Sequence, residues 1–177
     1  VLVEPSLPEN VGSVARAMDN MGVSDLRLVN PCDYQDSGAK RLATRSTHVL
    51  DGARCYPNLA AAVADCHVVM ATTARRRDRF EEPISLPDIH QHLPAGASRV
   101  AVVFGRESSG LNNAEMACCT LHVRIPTHGE SHSLNLAQAV LVLLYELARP
   151  LPDSEQAAAD APDLATSGEV EGLKGHV

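Results

Sequence analysis

Several features are scarce in this sequence. It has no tryptophan and few other aromatics, three Tyr and two Phe in 177 residues, yet 45% of it is hydrophobic. Apolar content at that level, mostly Ala, Val and Leu, excludes a disordered chain or a small disulfide scaffold and suits an α/β protein. No apolar run approaches the ~20 residues needed to cross a bilayer, and no signal peptide opens the chain, so the expected setting is the cytoplasm, away from membranes. Val1 reads as mid-strand and is not Met, so the numbering is expected to start inside a longer chain. Five cysteines, Cys32, Cys55, Cys66, Cys118 and Cys119, form an odd set without a CxxC pair. That spacing argues against both a disulfide framework and a zinc site and leaves reduced, buried thiols. No GxGxxG follows a strand, which argues against a dinucleotide dehydrogenase. Gly105 and Gly110 are followed by Leu111 and Asn112, not by Lys and then Ser or Thr, which excludes a P-loop triphosphatase.

Lysine is scarce too, and the charge is unevenly spread. Residues 1–150 carry 14 Lys and Arg against 16 Asp and Glu, a net of −2, whereas residues 151–177 carry one against six, a net of −5. The acidity therefore sits largely in the tail. The cations of the body are 13 Arg and one Lys, and a guanidinium presents a planar fork suited to bidentate contact with phosphate. At this length one domain is the default. We place it at residues 1–149 and read residues 150–177, rich in Ala, Pro, Gly and acids, as a linker or flexible tail.

Apolar periodicity supplies an order of elements. Val1–Val3 reads as a strand, and Asn10 as the N-cap of a helix running to about Met21, with Val11, Val14, Ala15 and Met18 on its apolar face and Gly22 as its stop. Leu26–Val29 is the next strand. The polar segment 30–46, with Lys40, Arg41 and Arg45, reads as a surface excursion. Leu59–Ala64 is helical, Val68–Ala71 a strand, Ile84–Leu93 a short helix, Arg99–Phe104 a buried strand, Ala114–Cys118 a short helix and Leu121–Ile125 the last strand. From Leu134 the positions Ala137, Val140, Leu141, Leu144 and Ala148 recur at helical spacing, with Ser133 placed as the N-cap. Strands alternating with helices predict a parallel sheet flanked by helices, with ligands beyond the carboxyl ends of the strands. Three such ends carry small, polar, bendable sequences, ATTA at 71–74, FGRESSGL at 104–111 and IPTHGESHSLN at 125–135. We expect all three to line one pocket.

Single residues remain ambiguous on this reading. Arg75, Arg76 and Arg77, with Arg79, form either a solvated face or a phosphate contact. Glu107 caps backbone N–H groups or binds a ligand. His128 and His132 lie in a loop, where a spacing of four has no helical meaning, and no metal site is expected there. Arg16 falls six residues after Asn10, within reach of the strand tips.

Taken together, the motifs resemble a known family. Asn10, Gly12 and Arg16 match N-x-G-x-x-x-R, Phe104–Leu111 matches FGxExxGL, and 125–140 matches IP followed by SLNLAxAV. These are the three motifs of the SpoU (TrmH) branch of the SPOUT RNA 2′-O-methyltransferases, in the right order and covering about residues 1–149. Within that branch, PENVGSVARAMDNMG and the TTAR after the fourth strand are most similar to the TrmJ group, which methylates cytidine or uridine at nucleotide 32 of the tRNA anticodon loop. The sequence departs from the group at Ser131, where Tyr is common, and in its tail, which does not resemble the group's helical extension.

The resemblance implies a sheet closed by a C-terminal trefoil knot, which ordinary topology rules disfavour. It implies a homodimer with each active site at the subunit junction, RNA as substrate, S-adenosylmethionine as methyl donor and no metal. Carried onto this sequence, the cofactor contacts are Thr72, Thr73, Ala74, Gly105, Glu107, Ile125, His132, Ser133 and Leu134. Arg16, Ser133 and Asn135 carry the catalysis. Asn10 and Arg16 meet the RNA, and cation density, independently of the resemblance, adds Arg41, Arg45, Arg75, Arg76 and Arg77 as candidates for contact with its backbone. Two alternatives stay open, a SpoU-type methyltransferase for another tRNA position or for rRNA, and a non-catalytic RNA-binding module of the same fold.

Overall fold

A computed structural model of the chain describes residues 1–74, 80–130, 132–149 and 165–174. Its strands are β1 (Leu2–Val3), β2 (Arg27–Val29), β3 (Arg54–Tyr56), β4 (Val68–Thr72), β5 (Ile84–Ser85), β6 (Val100–Val103) and β7 (Leu121–Arg124). They form two parallel sheets, β1-β2-β3 and β5-β7-β4-β6. A bridge between Leu2 and Phe104 joins them, with the Val3 N–H donating to the Phe104 carbonyl and the Phe104 N–H to the Val1 carbonyl, both at 2.9 Å. The strands thus run in the order β5-β7-β4-β6-β1-β2-β3, and the last strand in sequence is inserted between β4 and β5. A break in strand order of this kind opens a crevice beyond the carboxyl ends.

Alternate residues of each strand point to opposite faces, so the sheet supports two cores. Leu2, Leu28, Met70 and Val123 face α1 (Pro8–Asn20), α2 (Ser37–Ala43), α3 (Thr47–Asp51) and α6 (Leu136–Ala148). Val3, Val29, Val69, Ala71 and Val103 face α4 (Leu59–Val63) and α5 (Asn113–Ala117). Each fully buried Leu or Val in such a layer stabilises by roughly 1.5–3 kcal/mol. Arg27, only 4% exposed, lies under the second core between Asp25 at 2.9 Å and Asp65, and it also donates to the Ala62 carbonyl at 2.6 Å. Its hydrogen bonds hold the Asp65 carboxyl well below the usual range.

The first helix forms for the reasons expected, with one correction at its start. Pro8 occupies the first turn, where its fixed φ is favourable and its missing N–H costs nothing. Asn10 is therefore inside the helix and is not its cap; Leu7 holds the cap position and accepts from the Asn10 N–H at 3.0 Å. At the far end Gly22 takes φ +69°, and the Val23 N–H returns to the Met18 carbonyl at 2.9 Å.

Four segments differ from the sequence reading. The excursion at 30–46 is folded: α2 is capped by Asp36, whose carboxylate accepts from the Ala39 N–H at 2.7 Å, and a 3₁₀ turn (Thr44–Ser46) leads into α3. The buried positions there are mostly small, Ala39, Ala43 and Ser46, so no apolar stripe stands out. The segment 84–93 is β5 followed by a 3₁₀ helix (Leu86–His92). The edge strand β3 has no apolar alternation to betray it. Within the tail, α7 (Ser167–Lys174) packs against α4, with the Ser167 N–H donating to the Cys66 carbonyl at 2.8 Å and the Gly168 N–H to the Ala64 carbonyl at 2.9 Å.

Candidate active site

The carboxyl ends of β4, β6 and β7 release three loops, and these converge on one cavity of about 420 Å³. Thr72, Thr73 and Ala74 form one wall, Phe104 to Leu111 a second, and Ile125 with His132 to Asn135 a third. Thr72 Oγ1 donates to the Val103 carbonyl at 3.0 Å, and the Thr73 N–H donates to the Val123 carbonyl at 2.9 Å, which ties the first wall to both neighbouring strands. Across the third loop, Thr127 Oγ1 and His132 Nδ1 lie 3.2 Å apart.

The second loop is folded tightly on itself. A Cβ on Gly105 would lie 2.2 Å from the Gly110 carbonyl carbon and 2.3 Å from the Leu111 nitrogen, so any side chain there would displace backbone. Gly110, at φ +71°, closes the turn by donating its N–H to the Arg106 carbonyl at 2.8 Å. The Arg106 guanidinium holds this loop to its surroundings. It donates to Glu4 at 2.8 Å, to both oxygens of Glu115 at 3.0 and 2.9 Å, and to the Gly110 carbonyl at 3.3 Å. The two carboxylates raise its already high pKa further. Glu115 also accepts from the Asn112 N–H at 2.7 Å, completing the capping box of α5. One arginine therefore couples the end of β1, the loop and α5.

A second network joins the motifs. One oxygen of Glu107 accepts from the Asn10 amide at 2.9 Å, and the other from the Ser6 N–H and hydroxyl at 3.2 and 3.0 Å. Burial pushes the Glu107 carboxyl up, but these donors outweigh it and leave it below its ordinary value. Asn135 Nδ2 donates in turn to Asn10 Oδ1 at 3.2 Å, while Asn135 Oδ1 accepts from the Ala137 N–H at 3.0 Å and caps α6. The cap of α6 is thus Asn135, two residues beyond Ser133. Its amide is oriented by both neighbours, since one end must accept and the other donate.

All nine residues expected to hold a cofactor, Thr72, Thr73, Ala74, Gly105, Glu107, Ile125, His132, Ser133 and Leu134, line the cavity, as do Asn10 and Asn135. Arg16 does not. It is exposed on α1, as Arg41 is on α2 and Arg45 on the 3₁₀ turn, and none of the three lines the cavity of its own chain. Arg75, Arg76, Arg77 and Ser131 lie outside the described residues. Sequence reasoning missed Arg106 and the apolar lining of Met116, Val123, Leu136 and Ala139. Those four are ordinary core positions by pattern, and only the strand order turns one side of them toward a cavity. Among the described residues no group of His, Cys, Asp or Glu is arranged to hold a metal ion.

A cavity built from these loops at the ends of parallel strands has counterparts in known proteins. The model of the SpoU rRNA Methylase family matches residues 1–145. The chain belongs to this family. Among SpoU relatives, a protein of Pseudomonas aeruginosa named tRNA (cytidine/uridine/adenosine-2′-O-)-methyltransferase TrmJ is 45% identical over 152 residues, which are 83% of this chain and 58% of that protein. The crystal structure of TrmJ from Z. mobilis superposes with a TM-score of 0.85 at 38% identity, covering 99% of this chain and 75% of that one. The SpoU methyltransferase AviRb of Streptomyces viridochromogenes, in complex with the cofactor AdoMet, gives a TM-score of 0.66 at 25% identity over 83% of this chain and 55% of its own. The chain therefore spans little more than half the length of two of these three relatives.

Proposed function

We propose that the chain is an S-adenosylmethionine-dependent RNA 2′-O-ribose methyltransferase, acting on cytidine or uridine of tRNA at nucleotide 32 of the anticodon loop. The observation that carries this reading is the meeting of three separate turns, 72–74, 104–111 and 125–135, around one cavity. Its volume falls within the ~300–1,000 Å³ that holds a ligand of this size. The lining suits an adenosyl group: small residues at Thr72–Ala74, Ile125, and a loop folded so tightly at Gly105 that it has no room for a side chain. Bound there, the cofactor supplies a methyl group activated on a sulfonium.

The residues of the chain then have to position a ribose hydroxyl in line and receive its proton. Positioning accounts for most of such a rate enhancement. Asn135, oriented by Asn10 and through it by Glu107, presents an amide at the edge of the cavity. A guanidinium is effectively always protonated in proteins, so a neutral arginine is not available as a base. In our reading Arg16 stays charged, grips the phosphate beside the target ribose and stabilises the developing alkoxide, while Asn135 and Ser133 orient the hydroxyl and its proton passes to a phosphate oxygen or water.

Arg16 lies outside the cavity of its own chain, so this role requires a second copy. The exposed apolar residues Leu141, Val142 and Tyr145 of α6, the last 65% exposed, support a homodimer that brings Arg16 to the neighbouring site. The trefoil knot implied by the resemblance belongs to the same reading. Arg16→Ala should abolish methyl transfer while leaving the affinity for S-adenosylhomocysteine, measured by calorimetry, unchanged; a parallel loss of that affinity sinks the assignment. Incubation with labelled S-adenosylmethionine and either tRNA or rRNA, followed by mapping of the modified ribose, tests the substrate. Label at nucleotide 32 supports the reading, label elsewhere or in rRNA moves the target, and no label with bound cofactor favours the non-catalytic module.

A further inference from the structure

The fold sorts its arginines into two populations. Arg27, Arg54 and Arg99 are paired with Asp25 and Asp65 at the amino ends of the strands, Arg106 with Glu4 and Glu115, and Arg149 with Glu146. Among the described residues, Arg16, Lys40, Arg41, Arg45 and Arg124 are exposed and have no carboxylate partner, and Lys40, Arg41 and Arg45 of these stand together in the chain. Between residues 37 and 48 the exposed positions are Ser37, Lys40, Arg41, Thr44, Arg45 and His48, and none is acidic. Ser37, Lys40, Arg41 and Thr44 recur every three or four residues and so share one side of α2, roughly 10 Å at helical rise, and Arg45 and His48 are exposed just beyond the break in helical backbone at Thr44.

Packing fixes this stripe beside α1. The Cβ position of Gly12 would meet the Ala39 carbonyl oxygen at 2.1 Å, and Ser46 donates to Asp19 at 2.7 Å, so the two segments run side by side with Ala39 and Ala43 buried beneath the stripe. Of the acids nearby, Asp36 caps α2, and Asp19 accepts from Ser46 and lies 3.4 Å from His48, while the Glu9 carboxylate lies beside Gly38. Thr44, a β-branched residue at φ 54°, is held in a backbone conformation that favours glycine, in the middle of the stripe. Arg16 emerges from α1 on the same seam, one turn after Gly12.

We infer that the exposed stripe of Lys40, Arg41 and Arg45, with the hydroxyls of Ser37 and Thr44 between them, is a track for the phosphate backbone of the RNA substrate. Cations without partners have no internal Coulomb interaction to lose, and hydroxyls among them add phosphate donors without reading sequence. The track continues past Arg16 and, in the dimer reading, leads the strand toward the cavity of the neighbouring copy. This inference rests on the methyltransferase reading for the identity of the RNA, but the binding experiment does not.

Binding of unfractionated tRNA to the full chain should be measured as a function of salt, for the parent and for Lys40→Ala/Arg41→Ala/Arg45→Ala. Each lost phosphate contact removes about 0.7–0.9 from the magnitude of the slope of log K against log salt, so the triple variant should lose about 2 to 3, with affinity weakened at least about tenfold. Its affinity for S-adenosylhomocysteine should not move. The double variant Arg54→Gln/Arg99→Gln, at the paired end, should keep the parental slope. An unchanged slope in the triple variant, or an equal fall in the Arg54/Arg99 variant, overturns the track. Failure of the parent to bind S-adenosylhomocysteine would instead strike the methyltransferase reading, whatever the slopes.

Discussion

Glu107 carries more of the site than its place in a polar loop suggests. It is an acceptor only, and both oxygens are used, one by Asn10 and the other by Ser6. Hydrogen bonds to a charged acceptor are worth about 1.5–3 kcal/mol each. Glu107→Gln places an amide N–H toward one of these donors, so kcat/KM should fall about tenfold or more, with loss of the amide orientation passed to Asn135. The same contact sets a pH limit. The folded carboxyl lies below its ordinary 4.5, so its contribution is complete above that value and disappears as pH falls through the folded pKa. Affinity for S-adenosylhomocysteine, followed by calorimetry, should therefore be flat from pH 7 to 5 and drop only below about 4.5; a decline already under way above pH 5 would mean that Glu107 does not set the limit. In the sequence Glu107 was readable as either a cap or a ligand group. The structure shows it accepting from the Ser6 backbone N–H, as a cap would, and adds a further role, as a carboxylate that orients two asparagines 125 residues apart.

Among the elements, the loop 105–111 depends most on backbone geometry. Its Gly105 faces the Gly110 carbonyl carbon with no room for a methyl group. Gly105→Ala should force the loop open and weaken S-adenosylhomocysteine at least about tenfold, consistent with the ~1–3 kcal/mol that overpacking costs. Gly129→Ala, where an added Cβ meets nothing within 4 Å, should leave it unchanged and serves as the control. Equal affinities for the two variants would mean that the loop relaxes freely. The elements read correctly from sequence were those with a continuous apolar run or a strong periodicity, such as β4, β6 and α6. Those missed, α2, α3, β3 and α7, are short, and apart from Val49 and Leu50 of α3 they bury small residues or none, so hydrophobic pattern carries little information about them. Both cap corrections have a similar origin. Pro8 was as good a helix start as Asn10, and Asn135 as good a cap as Ser133; which side chain turned inward depended on partners elsewhere in the chain.

At the scale of the molecule, α6 buries Leu136, Val140 and Leu143 and leaves Leu141, Val142 and Tyr145 facing outward. Apolar side chains grouped in this way mark an interaction surface, and a face used by two identical subunits is self-complementary. Sedimentation should find the parent as a dimer and Val142→Asp/Tyr145→Asp as a monomer that has lost methyl transfer; a dimeric variant would place the interface elsewhere. The sequence alone determined the chemistry of the chain: a parallel α/β fold, three motif loops, and an arginine-rich body with its acidity collected in the tail. These are local properties, set by residue type and spacing. Tertiary structure decided which of those residues meet. Inserting β7 between β4 and β5 brought three distant loops around one cavity, drew Asn10, Glu107 and Asn135 into one network, and left Arg16 outside it. Proximity between residues a hundred positions apart depends on strand order and helix packing, and neither is written into the spacing of neighbours along the chain.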